Sequence, residues 1–176
     1  MLKALIFFFI ILKTSLVFSQ GYDVYGIGIY DVKFDGSSSN YATDLRYERR
    51  FDNTIIDIGP EQDNFFYLKP FTGIELTSDS AFYLISGIYL EDNIGDLVTG
   101  KDSKWNFTPS FGVGYYDDGN GKKLGNKVEF RTTLEFSYQL VNKNRIGISL
   151  SNISNANIEK KNPGAEIISI SYQKPF

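Results

Sequence analysis

The sequence predicts an all-β protein, an eight-stranded antiparallel transmembrane β-barrel behind a cleavable leader. Three observations predict it. The first 19 residues have the layout of an export signal, eight later segments alternate apolar with polar residues, and aromatic residues make up 16% of the chain.

The leader comes first in order. Lys3 precedes the apolar run Ala4 to Leu12, and Val17-Phe18-Ser19 before Gln20 has the modest side chains of a cleavage point. Nine apolar residues ended by Lys13 fall short of the ~20 a spanning helix needs, which argues against an uncleaved anchor. Cleavage after Ser19 divides the chain into a signal peptide, 1–19, and one domain, 20–176. The mature domain then holds sixteen basic against 21 acidic residues, a net charge of −5. It has no basic block, so nucleic acid is not an expected partner.

Within the domain no 3.6-residue period persists, whereas period two recurs. The segments are Tyr22–Phe34, Tyr41–Phe51, Phe65–Thr77, Ala81–Glu91, Trp105–Tyr116, Val128–Leu140, Arg145–Ser154 and the C-terminal run to Phe176. The clearest is the sixth, where Val128, Phe130, Leu134, Phe136, Tyr138 and Leu140 alternate with Glu129, Arg131, Thr133, Glu135, Ser137 and Gln139. In the last, Ile168, Ile170, Tyr172 and Phe176 lie on one face, with Ser169, Ser171 and Gln173 on the other. Gly, Asn, Asp and Ser clusters separate the segments, as turns require, and no composition shift divides the domain.

Amphipathic strands close in two opposite ways, and periodicity does not separate them. A soluble lipocalin-like barrel turns its apolar face inward, and an outer-membrane barrel turns it toward lipid. Three features favour the membrane version. The polar face carries opposite charges close together (Asp44, Arg46, Glu48, Arg50; Glu129, Arg131, Glu135), which suits a small lumen filled with ion pairs. The apolar face is aromatic, as interfacial girdles are. The terminal Phe176 on an alternating last strand resembles the assembly signal of bacterial outer-membrane barrels. One expectation follows from the rule that inner-side turns are short. With the N-terminus inside, 52–64 and 92–103 should be short, and they are long.

Composition narrows the chemistry. There is no cysteine and no histidine, so thiol nucleophiles, disulfides, imidazole bases and Cys- or His-built metal sites are excluded. Asp117-Asp118-Gly119-Asn120-Gly121 lacks the spaced ligand series of a calcium loop and reads as a turn; no metal or cofactor is expected.

From Leu124 onward the sequence resembles the lipid A 3-O-deacylase family of bacterial outer membranes. Leu124-Gly125, Glu129-Phe130-Arg131, Arg145-Ile146-Gly147, Ser154-Asn155-Ala156, Asn162-Pro163-Gly164 and Glu166 carry the resemblance. It implies an ester hydrolase that removes the 3-linked acyl chain of lipid A with a Ser nucleophile, a His base and a Glu orienter. Ser154 and Glu166 take the Ser and Glu positions, and Asn155 is a candidate oxyanion stabiliser through its amide or backbone N–H. The His position, two residues before the Ser, is Asn152, so the chain departs from the family at the base itself. The implied partners are lipid A or lipopolysaccharide and outer-membrane lipid, with a homodimer left open. Either the activity is impaired or the barrel is a non-catalytic lipid A-binding or adhesion and envelope protein.

Strand parity bears on the carry-over. Asn152 and Ser154 share the parity of Ile146, Ile148 and Leu150, and Glu166 that of Ile168 and Ile170, so all three should point outward. A last hairpin symmetric about Lys160 would set Ser154 directly opposite Glu166, with position 152 a diagonal neighbour about 7–8 Å from Glu166.

Overall fold

The computed structural model describes residues 20–34, 41–59, 67–95 and 103–176, so the expected leader, 1–19, lies outside the described residues. Eight long strands run β1 (Gly21–Tyr30), β2 (Ala42–Phe51), β3 (Tyr67–Thr77), β4 (Phe82–Tyr89), β5 (Trp105–Asp117), β6 (Val128–Gln139), β7 (Arg145–Ser154) and β8 (Ala165–Pro175). Each pairs antiparallel with the next, and β1 pairs with β8 from Tyr22↔Pro175 to Tyr30↔Ile167, closing the barrel. Closure leaves the eight strands without an open edge.

Most strands fall within a residue or two of their expected limits. The first ends at Tyr30 rather than Phe34, because Asp31 takes φ 61° and leaves the extended ladder. Phe65, the expected start of the third, lies outside the described residues.

The interior is the polar face. Arg50 donates to Glu135 (2.6 Å) and Glu48 (2.9 Å), Arg46 donates to Glu135 (3.0 Å), and Arg131 pairs with both Glu48 and Glu75. All six are at most 4% exposed. Desolvating a charge costs several kcal/mol unless it is paired, and here the strands place each cation within reach of carboxylates from neighbouring or facing strands. The buried apolar cluster gathers Tyr30, Phe71, Tyr83, Ile85, Tyr116, Ile153 and Ile167.

The outer face is apolar. Ile27, Leu45, Leu84, Val113, Leu134, Phe136, Ile146, Ile148 and Ile170 stand half-exposed around the barrel. Aromatic pairs such as Trp105–Tyr138 (5.1 Å between ring centroids) and Phe107–Phe136 (4.8 Å) sit on the same face. A polar, ion-paired lumen inside an apolar wall is the membrane closure and the reverse of a soluble barrel.

Gly21 and Phe176 meet at one end of the barrel, so with that end inside, β7 ends at the outer surface. The expectation of short inner turns is not met. Fifteen residues separate Phe51 from Tyr67 and fifteen separate Tyr89 from Trp105. Their described parts prolong the ladders: Ile56–Asp57 pairs with Leu68 and Tyr67, and Asp92–Asn93 pairs with Phe107 and Asn106. The barrel therefore departs from the rule by extending two hairpins past its inner rim.

Candidate active site

The candidate residues gather where β7 ends and β8 begins. Asn152 is exposed, Ser154 and Glu166 are half-buried, and the intervening Ile153 and Ala165 point inward. The outward placement expected from parity is therefore what the strands adopt.

The expected register is not. Glu166 pairs with Asn152, and Ala165 pairs with Ile153. The hairpin is centred on Glu159 rather than Lys160, because the connection after Ser154 turns through left-handed Ala156 (φ 51°) and Asn157 (φ 62°) before Gly164 (φ 55°). Asn152 thus becomes the direct neighbour of Glu166, and its Nδ2 donates to Glu166 Oε1 at 3.4 Å. Ser154 lies two residues farther along the same face, about 7 Å in a strand. The register sets position 152 beside Glu166 and one same-face step from Ser154.

Neighbouring strands complete the surroundings. On β6, Thr132 pairs with Asn152 and Phe130 with Ser154, and Phe130 stacks on Phe111 at 5.9 Å. One row toward the membrane, Ile29, Ile168, Leu150 and Leu134 form an apolar band linked strand to strand. Next to Ser154, Gly164 presents no side chain; a Cβ there would sit 4.0 Å from the Ser154 Cβ and 3.5 Å from Asn152 Nδ2.

Asn155, the oxyanion candidate, has its donors engaged elsewhere. Parity turns its side chain inward, and it is fully buried. Its Nδ2 donates to the carbonyls of Leu124 (3.1 Å) and Lys161 (2.7 Å), and its backbone N–H donates to Asn162 Oδ1 (3.0 Å). With these donors engaged, it clamps the β5–β6 connection to the β7–β8 connection. Gly125 belongs to the same joint: at φ 103° it passes so close to the Lys161 carbonyl that any Cβ would collide.

A basic group missed by the sequence reading stands on the other side of Glu166. Lys33 Nζ lies 3.9 Å from Glu166 Oε2 and 3.2 Å from Asp31 Oδ1, and Lys122 pairs with the same Asp31 oxygen. Burial lowers Lys122 below the ordinary range of its ammonium. No local pattern could have found this group, since closure of β1 on β8 creates it.

The family model described as lipid A 3-O-deacylase (PagL) matches residues 87–175, half of the chain, a stretch that includes Asn152, Ser154 and Glu166 but not Lys33. The chain belongs to the lipid A 3-O-deacylase family. The lipid A deacylase PagL of Bordetella bronchiseptica is 34% identical over 55 residues, which is 31% of this chain and 31% of that protein. The aligned part thus spans about a third of the curated relative. The crystal structure of the outer membrane enzyme PagL superimposes with a TM-score of 0.63 at 15% identity, covering 88% of this chain and 99% of that one. A de novo designed transmembrane β-barrel matches with a TM-score of 0.50 at 12% identity, covering 88% and 93%. These two likenesses speak for the fold, and they extend it over the first strands, which the family model does not reach. A lipid A 3-O-deacylase family barrel with an apolar outer wall belongs to the bacterial outer membrane.

Proposed function

We propose that this protein is a lipid A-handling barrel of the 3-O-deacylase type whose ester hydrolysis is strongly reduced by the absence of a base. In this reading the mature domain is 20–176, lipid A or lipopolysaccharide is the ligand, Ser154 is the nucleophile and Glu166 the orienting carboxylate. Asn152 occupies the position of the base.

One observation carries the reading: Glu166 is bonded to Asn152, and Ser154 follows on the same outward face. A serine hydroxyl attacking an ester must pass its proton to a base, which returns it to the departing sugar oxygen. The neutral Asn152 amide has no basic lone pair at neutral pH and does neither. An imidazole at 152 would do both. One ring nitrogen would take the Ser154 proton as Oγ bonds to the acyl carbon. The ester C–O bond would break with that proton going to the alkoxide, and water would then release the acyl group from Ser154. Glu166 would accept the other ring N–H. Loss of a triad member costs about 10⁴-fold or more.

Mass spectrometry of lipopolysaccharide incubated with the refolded barrel tests the reading. Intact 3-linked chains with the wild type, and their release by an Asn152→His variant, are expected; efficient release by the wild type overturns it. A second reading, a purely lipid-binding or envelope barrel, draws on the same Asn152–Glu166 bond, which leaves no proton acceptor beside Ser154. It predicts that Asn152→His gains nothing.

A further inference from the structure

We propose that Lys33 and Lys122 form a subsite for the phosphate group of an outer-leaflet lipid, one strand away from the Asn152–Glu166 pair. This inference deepens the proposed function and rests on it.

Two ammonium groups from residues 89 positions apart converge on one oxygen of Asp31, and Lys33 also reaches toward Glu166 at 3.9 Å. Cations held this close repel one another, and a further anion bridging them would relieve that repulsion. Both side chains remain reachable, at 24% and 19% exposure. The surroundings have the matching sign. The two outer connections flanking Ser154, 118–127 and 155–164, carry five lysines against Asp118 and Glu159. The inner connection 52–66 carries Asp52, Asp57, Glu61 and Asp63 and no basic residue.

The vertical order also fits one chemistry. Lysines stand at the rim, the Ser154–Asn152–Glu166 group lies beside them, and the Ile29–Ile168–Leu150–Leu134 band begins one row below. A phosphorylated head above, an ester in the middle and acyl chains below is the layout of a phosphorylated glycolipid such as lipid A. A free phosphate would use the lysines alone, and a bilayer phosphodiester would carry the charge without the sugar.

Binding of the mature barrel in micelles to phosphorylated lipid A, dephosphorylated lipid A, phosphatidylglycerol and inorganic phosphate separates these sources. The wild type should bind the phosphorylated form at least about tenfold more tightly than the dephosphorylated one, with the gap shrinking as salt rises. The double variant Lys33→Gln/Lys122→Gln should close the gap while leaving affinity for dephosphorylated lipid A unchanged, and Lys33→Arg/Lys122→Arg should keep it. Lys33→Gln alone, in a half-buried side chain outside the strands, gives a second readout and should narrow the gap. The proposal is overturned if the wild type shows no gap, if the Gln variants weaken both lipids equally, or if phosphatidylglycerol or inorganic phosphate matches phosphorylated lipid A. Failure of the wild type to bind either form of lipid A would instead sink the proposed function.

Discussion

Glu166 faces Asn152 directly across the β7–β8 ladder, and the amide donates to the carboxylate at 3.4 Å. A histidine in that slot would have its carboxylate partner already in place and its serine two residues along the strand.

Restoring the base should therefore restore chemistry. Asn152→His is expected to raise release of the 3-linked acyl chain by at least about a hundredfold, a conservative share of what a triad member contributes. Fatty-acid release followed by mass spectrometry measures it, and adding Ser154→Ala should return the rate to background.

The carboxylate should matter only once a ring is present. In the Asn152→His background, Glu166→Gln is expected to lower the rate by about 10²–10⁴-fold, because the ring loses the partner that sets its tautomer. In the wild type the same change should shift barrel stability by less than about 1 kcal/mol, since Glu166 is partly exposed and its pairing with Lys33 is long. Urea unfolding in lipid vesicles reads the stability.

The lumen is the costly place to cut. Arg131 pairs with Glu48 and Glu75 and is 1% exposed, so Arg131→Met takes the cation from buried Glu75 and leaves Glu48 to the arginines of its own strand. A loss of about 3–5 kcal/mol is expected by the same unfolding measurement. On the outer wall, Ile148→Arg should cost about 2–4 kcal/mol, as a charge facing lipid near the midplane does.

The joint beneath the site tolerates no side chain at one point. Gly125→Ala adds a Cβ against the Lys161 carbonyl at φ 103°, and a loss of about 1–3 kcal/mol is expected. Limited proteolysis should show earlier cleavage in 155–164, because Lys161 anchors that connection through Asn155.

Much of this molecule is local, and what is local was legible. Alternation along Val128–Gln139 and Arg145–Ser154 assigns each side chain to wall or lumen, because successive residues in a strand point to opposite faces. It correctly sends Asn152, Ser154 and Glu166 outward, and the same rule sends Asn155 inward.

Register and closure belong to another scale. Pairing Glu166 with Asn152 instead of Ser154 depends on the left-handed residues 156, 157 and 164 inside a ten-residue connection, and composition does not dictate that path. Lys33 reaches Glu166 only because β1 returns to β8 across the full length of the chain. Whether the apolar face meets lipid or itself was likewise open in a periodic pattern. Closure around the Arg46–Glu48–Arg50–Glu135 network settled it, since buried charges need partners from several strands at once and only one curvature supplies them.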